Sequence, residues 1–105
     1  MAIGALLVFR PRPGRLSDFM KNVARAGKIV KRNGGAMRVW NSMYGGEPGT
    51  VGIVVETADW KAHGDYHAKL VADSEYQAFL AELNSARDPA ADLLVTQVLE
   101  EVPIG

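Results

Sequence analysis

The chain has 105 residues, 48% of them apolar and 23% charged, with twelve Lys or Arg balancing twelve Asp or Glu, two His and no Cys. That length is near the common domain size, so one domain spanning residues 1–105 is expected, with enough chain to bury a core. The missing thiols exclude structural disulfides, thiolate zinc sites, iron–sulfur clusters and cysteine nucleophiles.

The only apolar run near the start, residues 2–9, has no basic stretch before it and is followed by RPRPGR. It is too short to span a bilayer, which needs about 20 residues, and it reads poorly as a signal peptide. A cytoplasmic protein without a membrane partner is expected. The zero net charge hides a split. Residues 1–46 carry nine Lys or Arg against Asp18 alone, and residues 47–105 carry three basic residues against eleven acids. Such asymmetry can mark a nucleic-acid or membrane face. Two halves of one small domain lie side by side, however, so mutual neutralisation is the expected outcome.

Residues 3–10, IGALLVFR, predict an apolar strand ended by Pro11 and Pro13, which cannot donate to a ladder. A helix is expected from Gly14, with Leu16, Phe19, Met20, Val23, Gly27 and Val30 as its inward stripe. Lys21, Arg25, Lys28 and Arg32 make a basic stripe on the other side, and Asn33-Gly34-Gly35 suits a left-handed C-terminal cap. Residues 36–43 predict a second strand with Arg38, Trp40 and Ser42 on one face; parity does not say whether that face looks into a cavity or a subunit interface. YGGEPG, residues 44–49, reads as a hairpin loop, and no helix or Lys-Ser/Thr follows to make it a phosphate loop. Residues 50–56 predict a third strand, continuously apolar from Val51 to Val55.

Thr57 or Asp59 then starts a helical stretch. At 100° per residue Trp60, His63, His67, Leu70 and Val71 fall on an inward face, with Lys61, Asp65 and Lys69 opposite. Ala72-Asp73-Ser74 breaks this helix, and Ser74 with Gln77 has capping-box spacing for the next one. Tyr76, Phe79, Leu80 and Leu83 form the inward stripe of that second helix. Residues 86–91 read as a loop and residues 92–102 as the last strand.

The order is βαββαβ, with the second helical unit a pair. Right-handed crossovers give a four-stranded antiparallel sheet with the first and third strands central. This is a ferredoxin-like α+β architecture. Both central strands are apolar on both faces, whereas a sheet covered on one side should alternate. The chain has no further element to cover the second face, so a homodimer joined sheet to sheet is expected.

The motif D-W-x5-Y-H-x-K-L-x-A-D-x-E-Y-Q-x-F over Asp59–Phe79, before a last apolar strand, resembles the dimeric α/β-barrel superfamily. That group includes antibiotic-biosynthesis monooxygenase-like, NIPSNAP-like and stress-responsive barrel proteins. The resemblance implies a dimer of ferredoxin-like subunits with a ligand cavity between sheet and helices. It also implies a range of activities: cofactor-free monooxygenases, cyclases and isomerases, haem-binding proteins and proteins of unknown activity. It supplies no shared catalytic motif, and the first strand lacks the asparagine of haem-degrading members.

His63 and His67 have the i, i+4 spacing of metal ligands. The Glu that metalloproteases place after the first His is replaced by Gly64, and no third ligand is near, so no metal site is expected. The two imidazoles are either packed in the core or line a cavity. In the second case burial disfavours the charged form, and His67, nearer the centre of the predicted inward face, is the candidate catalytic base. His63, Tyr66, Tyr76, Arg38 and Trp40 are the candidate substrate-binding residues, with no cofactor. The phenols would bind a carbonyl or enolate; otherwise they are packing residues. RNA-recognition chemistry is not expected, because the central strands lack exposed aromatic residues apart from Phe9. The alternative function is a non-catalytic module whose basic first helix meets an anionic partner.

Overall fold

The computed structural model describes residues 1–105. Its elements are β1 (Ile3–Pro11), α1 (Leu16–Arg32), β2 (Ala36–Asn41), β3 (Val51–Thr57), α2 (Trp60–Ala72), α3 (Ser74–Ser85) and β4 (Ala91–Glu100). The strands form one antiparallel sheet in the order β2-β3-β1-β4. This is the ferredoxin-like α+β fold, and the two most apolar strands hold its centre. No helix is long and apolar enough to cross a membrane.

Strand register sorts the side chains into two faces, because successive residues of a strand point to opposite sides. Val51, Ile53, Val55 and Thr57 of β3 are buried under the helices, and Met37 of β2 packs on the same side. Cross-strand pairing extends this face to Phe9, Leu7, Ala5 and Ile3 of β1. The opposite face carries no helix. Its rows run Trp40–Gly52–Val8–Val95 and Arg38–Val54–Leu6–Gln97. Apolar residues thus fill both faces of the centre, and only one face is covered. β1 and β4 lose register between Val8 and Phe9, where Leu94 is the extra residue of a bulge.

The core lies in two clusters along the helical face. One joins Ile29 and Val30 of α1, Val55, Tyr66 and Leu70 of α2, and Phe79 of α3. The other joins Phe19 and Val23 of α1 to Val51, Ile53 and Ala90. Fully burying one such aliphatic side chain stabilises the fold by about 1.5–3 kcal/mol. Gly34, at φ +96°, supplies the left-handed residue after α1, and the Gly35 N–H then donates to Val30 O at 3.0 Å. Gly35 also sits where the chain presses against the core, with no room for a Cβ beside Val30, Val55 and Tyr66.

The α2–α3 break is capped one residue earlier than the capping-box spacing implies. The Asp73 carboxylate accepts from the Glu75 and Tyr76 amides at 3.0 and 3.1 Å, leaving Ser74 as the first helical residue. Asp73 also accepts from Asn33 Nδ2 at 2.9 Å and from Arg32 at 2.7 Å, which ties this corner to the end of α1. These donors, Asn33 foremost, hold the Asp73 carboxyl well below the usual carboxylate range.

The charge split resolves within the chain. Arg12 pairs with Asp88 and Asp92, Arg15 with Asp88 at 2.7 Å, Arg25 with Glu82, and Arg32 with Asp73 and Glu75. Each pair joins the basic half to the acidic half. Two of the four cations of the basic stripe, Arg25 and Arg32, are therefore already matched.

Candidate functional site

A gap remains where α1 and α3 diverge above the β1–β4 side of the sheet. Neither α2 nor α3 packs extensively on β4, so its helix-side residues Leu93 and Val98 stay exposed. The result is a groove of about 660 Å³ with Leu7, Phe9 and Ile53 as its floor, Phe19 and Val23 on one wall and Phe79 on the other. Leu80 and Leu83 of α3, with Ala90, Ala91 and Leu93, extend the apolar lining. All three phenylalanines of the chain line it. Phe9 and Phe19 meet at 5.3 Å with their rings tilted 50°, and Arg25 stacks over the Phe79 ring at 5.0 Å.

The polar residues stand at the mouth. Asp18, Glu82 and Asp88 are each engaged by an arginine, and Arg15 donates to Asp18 at 2.8 Å. Lys21, Asn22 and Asn84 also border the groove and use their side chains in no hydrogen bond or ion pair. No His, Tyr, Ser, Thr or Cys lines it, and no cluster of three or more His, Asp or Glu is placed to hold a metal ion.

None of the six residues proposed from the sequence lines this groove; the structure distributes them over three places. Arg38 and Trp40 lie on the helix-free face, Trp40 being 60% exposed. Arg38 also borders a shallower trough of about 530 Å³ between α1 and β2, with Val23, Gly27 and Met37. Tyr66 is 7% exposed in the first core cluster, with Tyr76 packed against that cluster. Burial, and to a lesser extent Tyr76, pushes the Tyr66 phenol up, which keeps it protonated at neutral pH.

The histidines correct the sequence reading. His63 is half-buried, its ring edge-on to Trp60 at 5.9 Å and 6.4 Å from Tyr66. His67 stacks on His63 at 6.5 Å and is exposed. The helix is set by Tyr66 and Leu70, an i, i+4 pair, and His67 lies about 100° around from Tyr66. A phenol ring and a leucine gain more from burial than two imidazoles, whose ring nitrogens would need partners inside. The burial on which a catalytic role for His67 depended is therefore missing. Trp60, expected as an inward residue, is instead exposed and donates its indole N–H to Glu100.

Sequence reasoning missed the groove residues because no local motif joins them. The available signal was the set Phe9, Phe19 and Phe79, which an antiparallel β1 and two helices bring to one end of the sheet.

No protein-family model and no curated protein matches the sequence. Solved structures do. An uncharacterised NIPSNAP domain protein from Burkholderia xenovorans is similar with a TM-score of 0.70 and 19% identity, covering 97% of this chain and 95% of that one. A NIPSNAP family protein of unknown function from Agrobacterium tumefaciens gives 0.65 at 19% identity, over 93% and 84% of the two chains. SnoaB, a cofactor-independent oxygenase from Streptomyces nogalater, gives 0.69 at 10% identity, over 98% and 95%. At these identities the likeness is one of fold: the chain has the ferredoxin-like βαββαβ fold shared by these NIPSNAP proteins and by SnoaB.

Proposed function

We propose that the protein binds a small apolar or aromatic molecule in the groove between α1, α3 and the sheet, and does so as a homodimer joined across the helix-free face. The groove carries the first part. Its volume falls within the roughly 300–1,000 Å³ of small-molecule sites, and such sites combine an apolar lining with a few polar groups, as here. The floor offers no side chain suited to moving a proton, so binding and orientation are what its residues supply. SnoaB performs oxygenation on the same fold without a cofactor. Equivalent chemistry here would rest on the bound molecule's own reactivity and on groups at the groove mouth, not on His67.

The dimer rests on the helix-free face. Leu6, Val8 and Val54 in the middle of that face, with Trp40, Val95 and Leu99 around them, would otherwise leave a contiguous apolar patch in water. Native mass spectrometry of gently purified protein tests both parts. Two chains carrying an added small mass are expected. A monomer refutes the face-to-face dimer. A dimer that neither retains a small molecule nor binds an added aromatic probe refutes the groove reading.

A further inference from the structure

We infer that the groove selects aromatic acids: a ring system on the phenylalanine floor, with a carboxylate at the mouth held by Lys21 and Asn22. This rests on the groove's being a ligand site and adds the ligand's class. The body follows from the lining, since Phe9, Phe19 and Phe79 converge on one apolar space with Leu7, Ile53 and Leu83. Aromatic rings pack edge-to-face or offset against one another, with a gain beyond the area they bury.

The head group follows from which charges at the mouth are already matched. Asp18 and Asp88 face Arg15, Asp88 also faces Arg12, and Glu82 faces Arg25. A cationic ligand would have to compete with an arginine for any of these carboxylates. The arginines are engaged in the same pairs and cannot turn to an anion without breaking them. Lys21 is the one charged residue bordering the groove without an ionic partner. The next residue along α1, half-buried Asn22, also borders the groove, with an amide that donates to nothing in the protein. The Lys21 ammonium and the Asn22 amide N–H₂ are thus two unused donors on the border of one groove, and a carboxylate is an acceptor suited to both.

The test is calorimetric titration at neutral pH and low salt with three probes sharing one ring system: 2-naphthoate, 2-naphthamide and 2-naphthylmethylamine. The expected order is acid, then amide, then amine. Because Lys21 is solvent-exposed, the acid should lead the amide by only about fivefold. In Lys21→Gln the acid should fall to the level of the amide. Asn22→Ala should weaken acid and amide alike, by about three- to tenfold, since both present a carbonyl oxygen. Equal binding of acid and amide by the native protein would leave the groove as an apolar site and overturn the acid preference. So would a preference for the amine, or one for the acid that survives Lys21→Gln. An unchanged Asn22→Ala would overturn the donor pair. Failure of all three probes to bind would overturn the groove reading together with this one.

Discussion

Replacing Gly35 with Ala tests how tightly α1, α2 and the sheet are locked around the start of β2. A Cβ at Gly35 would stand 2.8 Å from Val30 Cγ1, 2.8 Å from Val55 Cγ1 and 3.0 Å from Tyr66 Cε1. Favourable carbon contacts lie at about 3.5–4.0 Å, so the neighbours would have to retreat by up to about an ångström. Two of them are methyls of valines, whose χ1 has few alternatives, and the third belongs to a buried ring. Overpacking of this kind costs about 1–3 kcal/mol. Against it stands about 0.4–1 kcal/mol from restricting the unfolded chain, available because Gly35 does not occupy the left-handed region. The net expectation is destabilisation by about 1–2 kcal/mol, a fall in thermal midpoint of about 5–10 °C for a chain of this size. Circular dichroism melts at fixed protein concentration read this directly. Val55→Ala should relieve part of the clash, so the double variant should lose less than the sum of the singles. A Gly35→Ala protein as stable as the native one would show that the three elements are not pressed together there.

Three further outcomes follow from the same geometry. His67→Ala, altering an exposed side chain, should shift stability by no more than about 0.5 kcal/mol and leave probe binding unchanged; a large effect in calorimetry or melting would restore His67 to the interior. Asp73 has a native pKa below its unfolded one. Its contribution is therefore fully present above about pH 5 and is lost as pH falls through the ordinary carboxylate region near 3.9 towards the depressed native value. Asp73→Asn keeps a capping side chain but removes the charge facing Arg32, so its thermal midpoint should fall less steeply over that acidic range than that of the native protein. An equally steep fall would assign the acid sensitivity elsewhere. Val54→Glu places a charge in the middle of the helix-free face, next to Leu6, and should convert the proposed dimer to a folded monomer by light scattering; a persistent dimer would locate the interface on another surface.

What the sequence discloses and what it hides divide along a physical line. Element order, the central place of β1 and β3, and the apolar character of both sheet faces follow from contiguous residues, because strand and helix periods are local. The neutralisation of the two charge halves was also legible, since any packing of so small a chain brings them together. The rotation of α2 was not. Its apolar residues, Trp60, Ala62, Tyr66, Leu70 and Val71 among them, spread widely around the helix, so several settings bury comparable area. Contacts with Val30, Val55 and Phe79 choose the one that buries Tyr66 and leaves His67 outside. The cap went to Asp73 because its carboxylate gains Asn33 and Arg32 as well as two helix amides, partners that a capping-box spacing does not reveal. The groove is the extreme case. It exists because α3 stops short of β4, and a gap between elements leaves no periodic trace in the residues that border it. The consequence for function is specific. The residues with the most reactive side chains, His63, His67, Tyr66 and Tyr76, belong to α2 and α3 faces that pack the core or meet solvent. The apolar groove between α1, α3 and the sheet is lined instead by phenylalanines and leucines, with Lys21 and Asn22 on its border. If the groove is the proposed ligand site, it recognises a ring and its head group by fit and charge, and its chemistry is to be sought in the molecule it holds.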